Sequence, residues 1–213
     1  MKRIVIFMTL LALLATGCKR EQKFTLTSDL NEARFDLKTD SLTLQSEALP
    51  TPVTVYVKDG VFSCTGELEK PAIATLRGGG IMNTTRQLIL EKGTITFKNG
   101  LACGTPLNDA VYDLSHSLRK LEGDRFGDKE ANAEEAVKQT REYLAKHNND
   151  PSAVVALLAV RRFTSPQTMS ELIDMTSKEV QNDGSIRRIK SQIAKVKKQA
   201  EAETGTESEA KSE

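Results

Sequence analysis

Apolar and polar residues alternate in short runs through the first half of the chain, as in half-buried β-strands. Seven runs between residues 24 and 97 show the pattern: FTLTSDL, SLTLQSE, VTVYV, VFSCTGEL, AIATL, QLILE and TITF. Asp59 and Gly60 predict a tight hairpin, and EKG at 91–93 predicts a turn that joins two further strands. This spacing predicts an antiparallel β-sandwich or a partly open barrel.

The period of the pattern changes to that of an α-helix after Gly104. Thr105 can cap a helix, Pro106 suits its first position, and Gly123 predicts its end. One stripe of this helix holds Leu107, Ala110, Val111, Leu114, Leu118 and Leu121. Because the stripe is too apolar to face water, we expect the helix to fold back against the sheet and to form one cooperative unit with it.

Further helical segments follow. One is predicted at 129–146, Asp150 and Pro151 begin a more uniformly apolar helix, and Ser165 and Pro166 begin another. The apolar helix should be the best buried of them. A last amphipathic helix is marked by Ile186, Ile189, Ile193 and Val196.

The composition predicts an α+β protein with three parts after its N-terminal segment. Residues 24–122 form a β-rich domain with its closing helix, residues 123–203 form a helical region, and residues 204–213 form a tail. The tail has no apolar residue larger than alanine. Since burial cannot offset the entropy of ordering it, we expect the tail to be disordered.

Residues 1–17 have the three parts of a secretory signal. Two basic residues precede an apolar run at 4–15, and small residues then lead to Cys18. The run is shorter than the about 20 residues that cross a bilayer core. We therefore expect this segment to be removed from the mature protein.

The sequence ATGC at the end of the signal resembles the lipobox of bacterial lipoproteins. This resemblance implies cleavage after Gly17, acylation of Cys18 and a lipidated tether at 18–23. Lys19 is not the aspartate that retains many lipoproteins in the inner membrane, so the same resemblance favours the outer membrane. The alternative is an ordinary secreted protein in which Cys18 is incidental.

Charge balance restricts the partners of the chain. The formal net charge is +1, and removal of residues 1–17 leaves it at about −1 because Lys2 and Arg3 are lost. Nucleic-acid binding requires a clustered basic excess, whereas the one basic cluster, RRIKSQIAKVKK, fits the polar face of a helix. We expect no nucleic-acid partner. The expected partners are the lipid bilayer, through acylated Cys18, and an envelope protein or small ligand.

Four segments share a further pattern: FTLTSDL, TVYVKDGVFSCTGELEKPAIATL, LILEKGTITF and GTPLNDAV. Together they resemble an uncharacterised β-rich domain at the N-terminus of Gram-negative envelope lipoproteins. In that family a helical linker and a thioredoxin-like or peroxiredoxin-like domain usually follow. This chain has AEAETGTESEAKSE where the redox domain would begin, so we do not expect the redox activity of those relatives.

Two cysteines lie in the β-rich half, Cys64 and Cys103. They do not form the CxxC spacing of thioredoxin chemistry, in which two cysteines share a helix start. Three interpretations stay open. The cysteines are buried apolar fillers, they form one structural disulfide, or one of them is a reactive thiol.

No pattern in the sequence predicts a metal or a cofactor. His116 and His147 have no Cys, Asp or Glu at ligand spacing beside them. The glycine-rich segment RGGGIMNTTR at 77–86 lies between two strands, whereas phosphate-binding loops join a strand to a helix. We expect this segment to be a connecting loop.

The sequence thus predicts a non-catalytic binding or scaffold module in the cell envelope. Loops at 45–52 and 77–86 are the expected contact surfaces, because connecting loops carry function on rigid scaffolds. The alternative is an accessory protein of periplasmic thiol–disulfide metabolism that uses Cys64 or Cys103.

Overall fold

The computed structural model describes residues 22–78, 84–124 and 127–209, with side chains as far as residue 199. The predicted signal peptide at 1–17 and the predicted lipidation site, Cys18, lie outside the described residues. So do residues 79–83 of the glycine-rich segment and residues 210–213 of the predicted tail.

Eight strands build the first half of the described chain: β1 (Gln22–Asp29), β2 (Ser41–Ser46), β3 (Val53–Lys58), β4 (Val61–Leu68), β5 (Ala72–Gly78), β6 (Thr85–Leu90), β7 (Gly93–Lys98) and β8 (Leu101–Cys103). They form one sheet in the order β6-β5-β2-β3-β4-β1-β7-β8. The sheet curls until β6 meets β8, so it is a nearly closed barrel. The predicted α+β class and the predicted partly open barrel are confirmed.

The hairpin predicted at Asp59 and Gly60 is confirmed. These residues join the antiparallel strands β3 and β4, and their φ angles are 53° and 77°. Two consecutive positive φ angles are typical of the type I′ turn, which matches the twist of the flanking strands.

The turn predicted at 91–93 does not join a pair of neighbouring strands. It links β6 to β7, but β6 pairs with β5, and β7 lies between β1 and β8. The β1–β7 pair is parallel, with Phe24 opposite Gly93 and Leu26 opposite Ile95. The turn thus steps past β8, which lies between β6 and β7 in the curled sheet, and the sheet is not wholly antiparallel.

Six α-helices follow in the described part of the chain: α1 (Pro106–Gly123), α2 (Lys129–Leu144), α3 (Pro151–Val160), α4 (Pro166–Asp174), α5 (Lys178–Gln181) and α6 (Gly184–Glu209). Two predicted caps are confirmed. The Asp150 side chain accepts a hydrogen bond from the Ser152 amide, and Ser165 accepts one from the Thr168 amide.

The last helix differs from its sequence prediction in two respects. Its backbone is helical through Glu209, six residues into the segment predicted to be a disordered tail. The preceding residues 197–203, KKQAEAE, are all good helix formers, and the helix that they form extends into the tail. Its apolar stripe buries Ile186 and Ile189, but Val196 is 48% exposed because α6 has by then passed beyond the core.

The protein has two apolar cores that meet at the wall of the barrel. Side chains from all eight strands fill the barrel, and β8 contributes Ala102. Leu88 and Leu90 of β6 are fully buried there. Ile89, between them, points outward and belongs to the core of the helices, against which Ile73 of β5 also packs. Helix α1 lies against β6 and β8, so the predicted return of this helix to the sheet is confirmed.

A buried polar cluster fastens α1 to the barrel. Asn108 is 1% exposed, and its side-chain amide pairs with both backbone groups of Ile89: Oδ1 accepts from the Ile89 N–H at 2.9 Å and Nδ2 donates to the Ile89 carbonyl at 2.7 Å. Glu91 accepts from the amides of Leu107 and Asn108 at 2.8 and 3.1 Å. Glu91 thus caps the helix, whereas the side chain of Thr105 makes no capping bond.

Candidate functional site

A cleft of about 1030 Å³ opens between the outer face of the barrel and the helices. Its floor is the outer face of β2 and β5, because strand residues alternate between the two faces of a sheet. Ala74 and Leu76 point into the barrel, so Ile73, Thr75 and Arg77 point outward into the cleft. Gln45 lies opposite Thr75 in register and completes the floor.

The helical wall of the cleft is made by the first residues of three helices. The cleft is lined there by 149–151 at α3, by 179–180 in α5 and by 182–185 at α6. Helix N-termini carry partial positive charge, which acidic side chains neutralise here. Asp183 accepts from the Ser185 amide at 2.8 Å, and the Glu47 carboxylate lies against Gly184, where a Cβ would collide with it.

An ion pair joins the two walls of the cleft. Lys70, just before β5, donates to Glu179 of α5 at 2.5 Å, and both side chains are exposed. The hydrogen bond from Lys70, and secondly its charge, lower the pKa of Glu179. An exposed pair of this kind contributes little to stability, so packing of the barrel against the helices holds the walls together.

Two arginines in the cleft have no carboxylate partner within the described residues. The side chain of Arg77 makes no hydrogen bond or ion pair there, and it is exposed on the floor. Arg188 donates to the Gly184 carbonyl at 3.2 Å and contacts Ser185 Oγ at 3.5 Å, both on its own helix. These guanidinium groups can donate further hydrogen bonds to an anionic group that enters the cleft.

A polar cluster at the start of α3 borders the cleft. Asp150 accepts from the Ser152 hydroxyl, which accepts from the Tyr143 hydroxyl at 2.5 Å. His147 Nδ1 lies 3.3 Å from the other Asp150 oxygen, and its ring stacks on Tyr143. The sequence interpretation that His147 has no acidic neighbour was wrong, because the bend at residues 147–150 brings Asp150 beside the imidazole.

This cluster does not have the geometry of a catalytic triad. A triad places histidine between the nucleophile and the carboxylate, whereas here Asp150 lies between Ser152 and His147. Ser152 is also fully buried, and a substrate cannot reach it. The cluster therefore caps and orders the start of α3.

Because the Tyr143 hydroxyl is partly buried, we expect the protein to lose stability in alkali. Burial is the main cause that raises the pKa of Tyr143 from 10.0 to about 12. Between these values the unfolded chain ionises this tyrosine while the folded chain does not, so stability falls as pH rises through that window. Urea unfolding at a series of pH values should show this loss, and Tyr143→Phe should reduce it. An identical alkaline loss in Tyr143→Phe would contradict the assignment.

The structure does not join Cys64 to Cys103, and both are free thiols. Cys64 lies on β4 and Cys103 on β8, with β1 and β7 between them. Three strand spacings separate the two cysteines by about 14 Å along the sheet, whereas a disulfide requires Cα atoms within about 7 Å of each other. The disulfide alternative therefore does not hold for this fold.

The surroundings of the two cysteines favour the filler interpretation. Cys64 packs against the barrel core, and burial raises the pKa of its thiol. A raised pKa lowers the fraction of thiolate, which is the reactive form. The Sγ atom of Cys103 lies 3.4 Å from Thr96 Oγ1 in the neighbouring strand.

Within the described residues, no three His, Cys, Asp or Glu side chains come together as a metal site. No helix in that part of the chain combines the length and the apolarity needed to cross a membrane. Comparisons with protein-family models, curated proteins and solved structures find no match. The resemblance to the β-rich domain of envelope lipoproteins therefore stays a prediction from sequence.

Sequence reasoning found part of the cleft. The loop predicted as a contact surface at 45–52 contributes residues 45–48, and the loop predicted at 77–86 contributes Arg77. It missed Lys70, Glu179 and Arg188, because the residues across the cleft are about a hundred positions apart in the chain. The sequence did indicate one part of the helical wall, because Asp150 was predicted to begin a helix and that helix starts at the cleft.

Proposed function

We propose that this chain is a lipid-anchored, non-catalytic binding module of the bacterial cell envelope and that the cleft between barrel and helices is its binding site. The observation that carries the proposal is the cleft itself, in which Arg77 and Arg188 face open space without a carboxylate partner. Acylated Cys18 would hold the module at the membrane, four residues before β1 begins at Gln22.

The lining of the cleft suits an extended acidic segment of a partner protein. Gln45 and Thr75 offer hydrogen-bonding side chains on the floor, and Ile73, Leu107 and Val154 offer apolar contact. The floor follows β5 for about 17 Å, at about 3.3 Å per residue. Carboxylates of the bound segment would pair with the two arginines.

Site-specific photo-crosslinking in the native host tests this binding site. A photoreactive phenylalanine analogue at Gln45 or Thr75 should yield one discrete adduct. The matched control is Ser63, which is exposed on the outer face of β4 and lies away from the cleft. The double substitution Arg77→Glu and Arg188→Glu should abolish the adduct. Equal adducts from Ser63, or none from either cleft position, would contradict the proposal.

The anchor is tested by Cys18→Ser. In a host that processes lipoproteins, the unaltered protein should partition into the detergent phase, because two or three acyl chains bind a membrane stably. Cys18→Ser should move the protein into the aqueous phase, whereas the neighbouring change Lys19→Ser should leave it in the detergent phase. Detergent partitioning that survives Cys18→Ser would show that acylation of this residue is not the anchor.

The thiol–disulfide alternative makes an opposite prediction for the two cysteines of the barrel. We expect Cys64 to react with iodoacetamide much more slowly in the folded protein than in urea, because burial keeps its thiol protonated. Mass spectrometry of quenched samples measures both rates, with Cys103 followed in the same digest. A cysteine that reacts faster when the protein is folded would support the redox function instead.

A further inference from the structure

Three arginines converge on the hairpin turn between β7 and β8. They are Arg34 in the loop after β1, Arg86 in β6 and Arg119 in α1. Arg34 Cδ and Arg86 Nε each lie 3.2 Å from the position that a Cβ would take on Gly100, whose φ is 73°. Arg119 Nη2 donates to the Gly100 carbonyl at 3.1 Å. We call these three residues the arginine cluster.

The arginine cluster donates only to neutral acceptors in the described chain. Arg86 donates to the carbonyl groups of Ala33, Arg34 and Thr85. Arg119 donates to the carbonyls of residues 99 and 100, and Arg34 donates to the side-chain oxygen of residue 99. None of the three forms an ion pair with a carboxylate there. The positive charge of the cluster is therefore not neutralised by a direct partner.

Two acidic side chains in segments that adjoin the cluster have partners of their own. Glu32 accepts from the Asn99 amide at 3.1 Å, and Glu122 pairs with Arg162. Burial, followed by the charges of neighbouring arginines, lowers the pKa of both Arg86 and Arg119. Like charges held this close repel one another, and an anion placed among them would relieve the repulsion.

Packing accounts for one member of the cluster but not for the other two. The Arg86 guanidinium lies over the Phe35 ring, with its Cζ 5.6 Å from the ring centroid, and ties the loop after β1 to β6. Arg34 is exposed, and Arg119 keeps an exposed surface while it packs partly against the Gly100 turn. A guanidinium has five N–H groups, of which Arg34 uses one and Arg119 uses two. The remaining donors are open to a ligand.

We propose that the arginine cluster is an anion site that binds the phosphate group of a soluble ligand. Phosphate fits because its several oxygens can accept from more than one guanidinium at once, in the paired geometry that arginine favours. The site is separate from the cleft, whose arginines are Arg77 and Arg188.

The position of the cluster favours a phosphate group on a soluble ligand. The alternative is the phosphate group of a lipid in the anchoring membrane. Strand β1 starts at Gln22 near the proposed anchor and ends at Asp29, about 23 Å further on. Arg34 and the Gly100 turn lie at that far end. The preference for a soluble ligand depends on the lipid anchor of the proposed function. The anion site itself does not depend on it.

Isothermal titration of the full chain with inorganic phosphate at an ionic strength of about 0.15 M tests the site, because this salt screens charges that do not contact the ligand. We expect one site, whose dissociation constant rises about tenfold or more in the double variant Arg34→Gln, Arg119→Gln. Arg86 is left in place because it packs on Phe35 and bonds three backbone carbonyls. The matched control, Lys98→Gln with Lys120→Gln, removes the same charge from exposed positions on β7 and α1 and should change the constant less than about twofold.

Two results would overturn the proposal directly: no phosphate binding by the unaltered chain, or unchanged binding by the arginine double variant while its melting temperature is unaltered. Loss of phosphate binding in the cleft variant Arg77→Glu, Arg188→Glu, with binding retained in the arginine-cluster double variant, would place the site in the cleft instead and overturn the proposal. Binding of the chain to vesicles that contain phosphatidylglycerol is the last measurement. Cluster-dependent binding to vesicles without binding of inorganic phosphate would make a lipid headgroup the ligand and overturn the soluble source.

Discussion

Asn108→Ala is expected to lower the free energy of unfolding by about 2 to 6 kcal/mol, the largest effect of any single polar substitution considered. The substitution removes the partners of the Ile89 N–H and carbonyl, which lie inside the joint between β6 and α1. Each buried group left without a partner costs about 1 to 3 kcal/mol. Urea unfolding followed by circular dichroism measures the change.

Two further variants separate this effect from a general weakening of α1. Asp113→Ala changes an exposed residue of the same helix and should shift stability by less than about 0.5 kcal/mol. Asn108→Asp keeps an acceptor for the Ile89 amide but loses the donor and places a carboxyl group beside Glu91, so we expect it to destabilise as well. An Asn108→Ala protein as stable as Asp113→Ala would show that the polar joint does not hold the helix.

Leu114→Ala is expected to lower the free energy of unfolding by about 2 to 5 kcal/mol, because it opens a cavity in a packed core. Leu114 is 8% exposed and belongs to the core shared by α1, α3 and Ile89 of the barrel wall. The matched control is Lys120→Ala on the exposed side of α1, for which the expected change is below about 0.5 kcal/mol. Equal stabilities of the two variants would contradict the packing of this face.

The elements that the sequence predicted correctly depend on local chemistry. Alternating runs identified seven of the strands, and Asp59 with Gly60 identified a turn whose positive φ angles those residues tolerate. Asp150 and Ser165 cap their helices as expected, because a cap bonds to amides two or three residues away. In each case the interacting groups are close in the chain.

The missed features depend on contacts between distant segments. Nothing near Thr105 indicates that Glu91 supplies the carboxylate for the start of α1, which the barrel brings into place from the end of β6. The parallel pairing of β1 with β7 likewise requires the closure of the sheet. Short β8 was not predicted, because three residues are too few to show an alternating pattern.

The candidate site was predictable only in part for the same reason. The loop at 45–52 was recognisable as a surface connection, and its first residues do line the cleft. The opposite wall belongs to α5 and α6, and α5 has only four residues and no apolar periodicity of its own. The ion pair of Lys70 with Glu179 spans 109 positions in the chain, so local pattern could not reveal it.

We expect the two walls of the cleft to belong to one folded unit, which a fixed binding site requires. Urea unfolding with separate reporters of the two walls tests this most directly. The chain has no tryptophan, so Tyr56→Trp on exposed β3 reports on the barrel by fluorescence, while far-ultraviolet circular dichroism reports mainly on the helices. We expect both signals to change at one urea midpoint, and Leu114→Ala to shift both midpoints equally. If Leu114→Ala lowers the helical midpoint while the barrel keeps its own, the walls are independent and the cleft is not a fixed site.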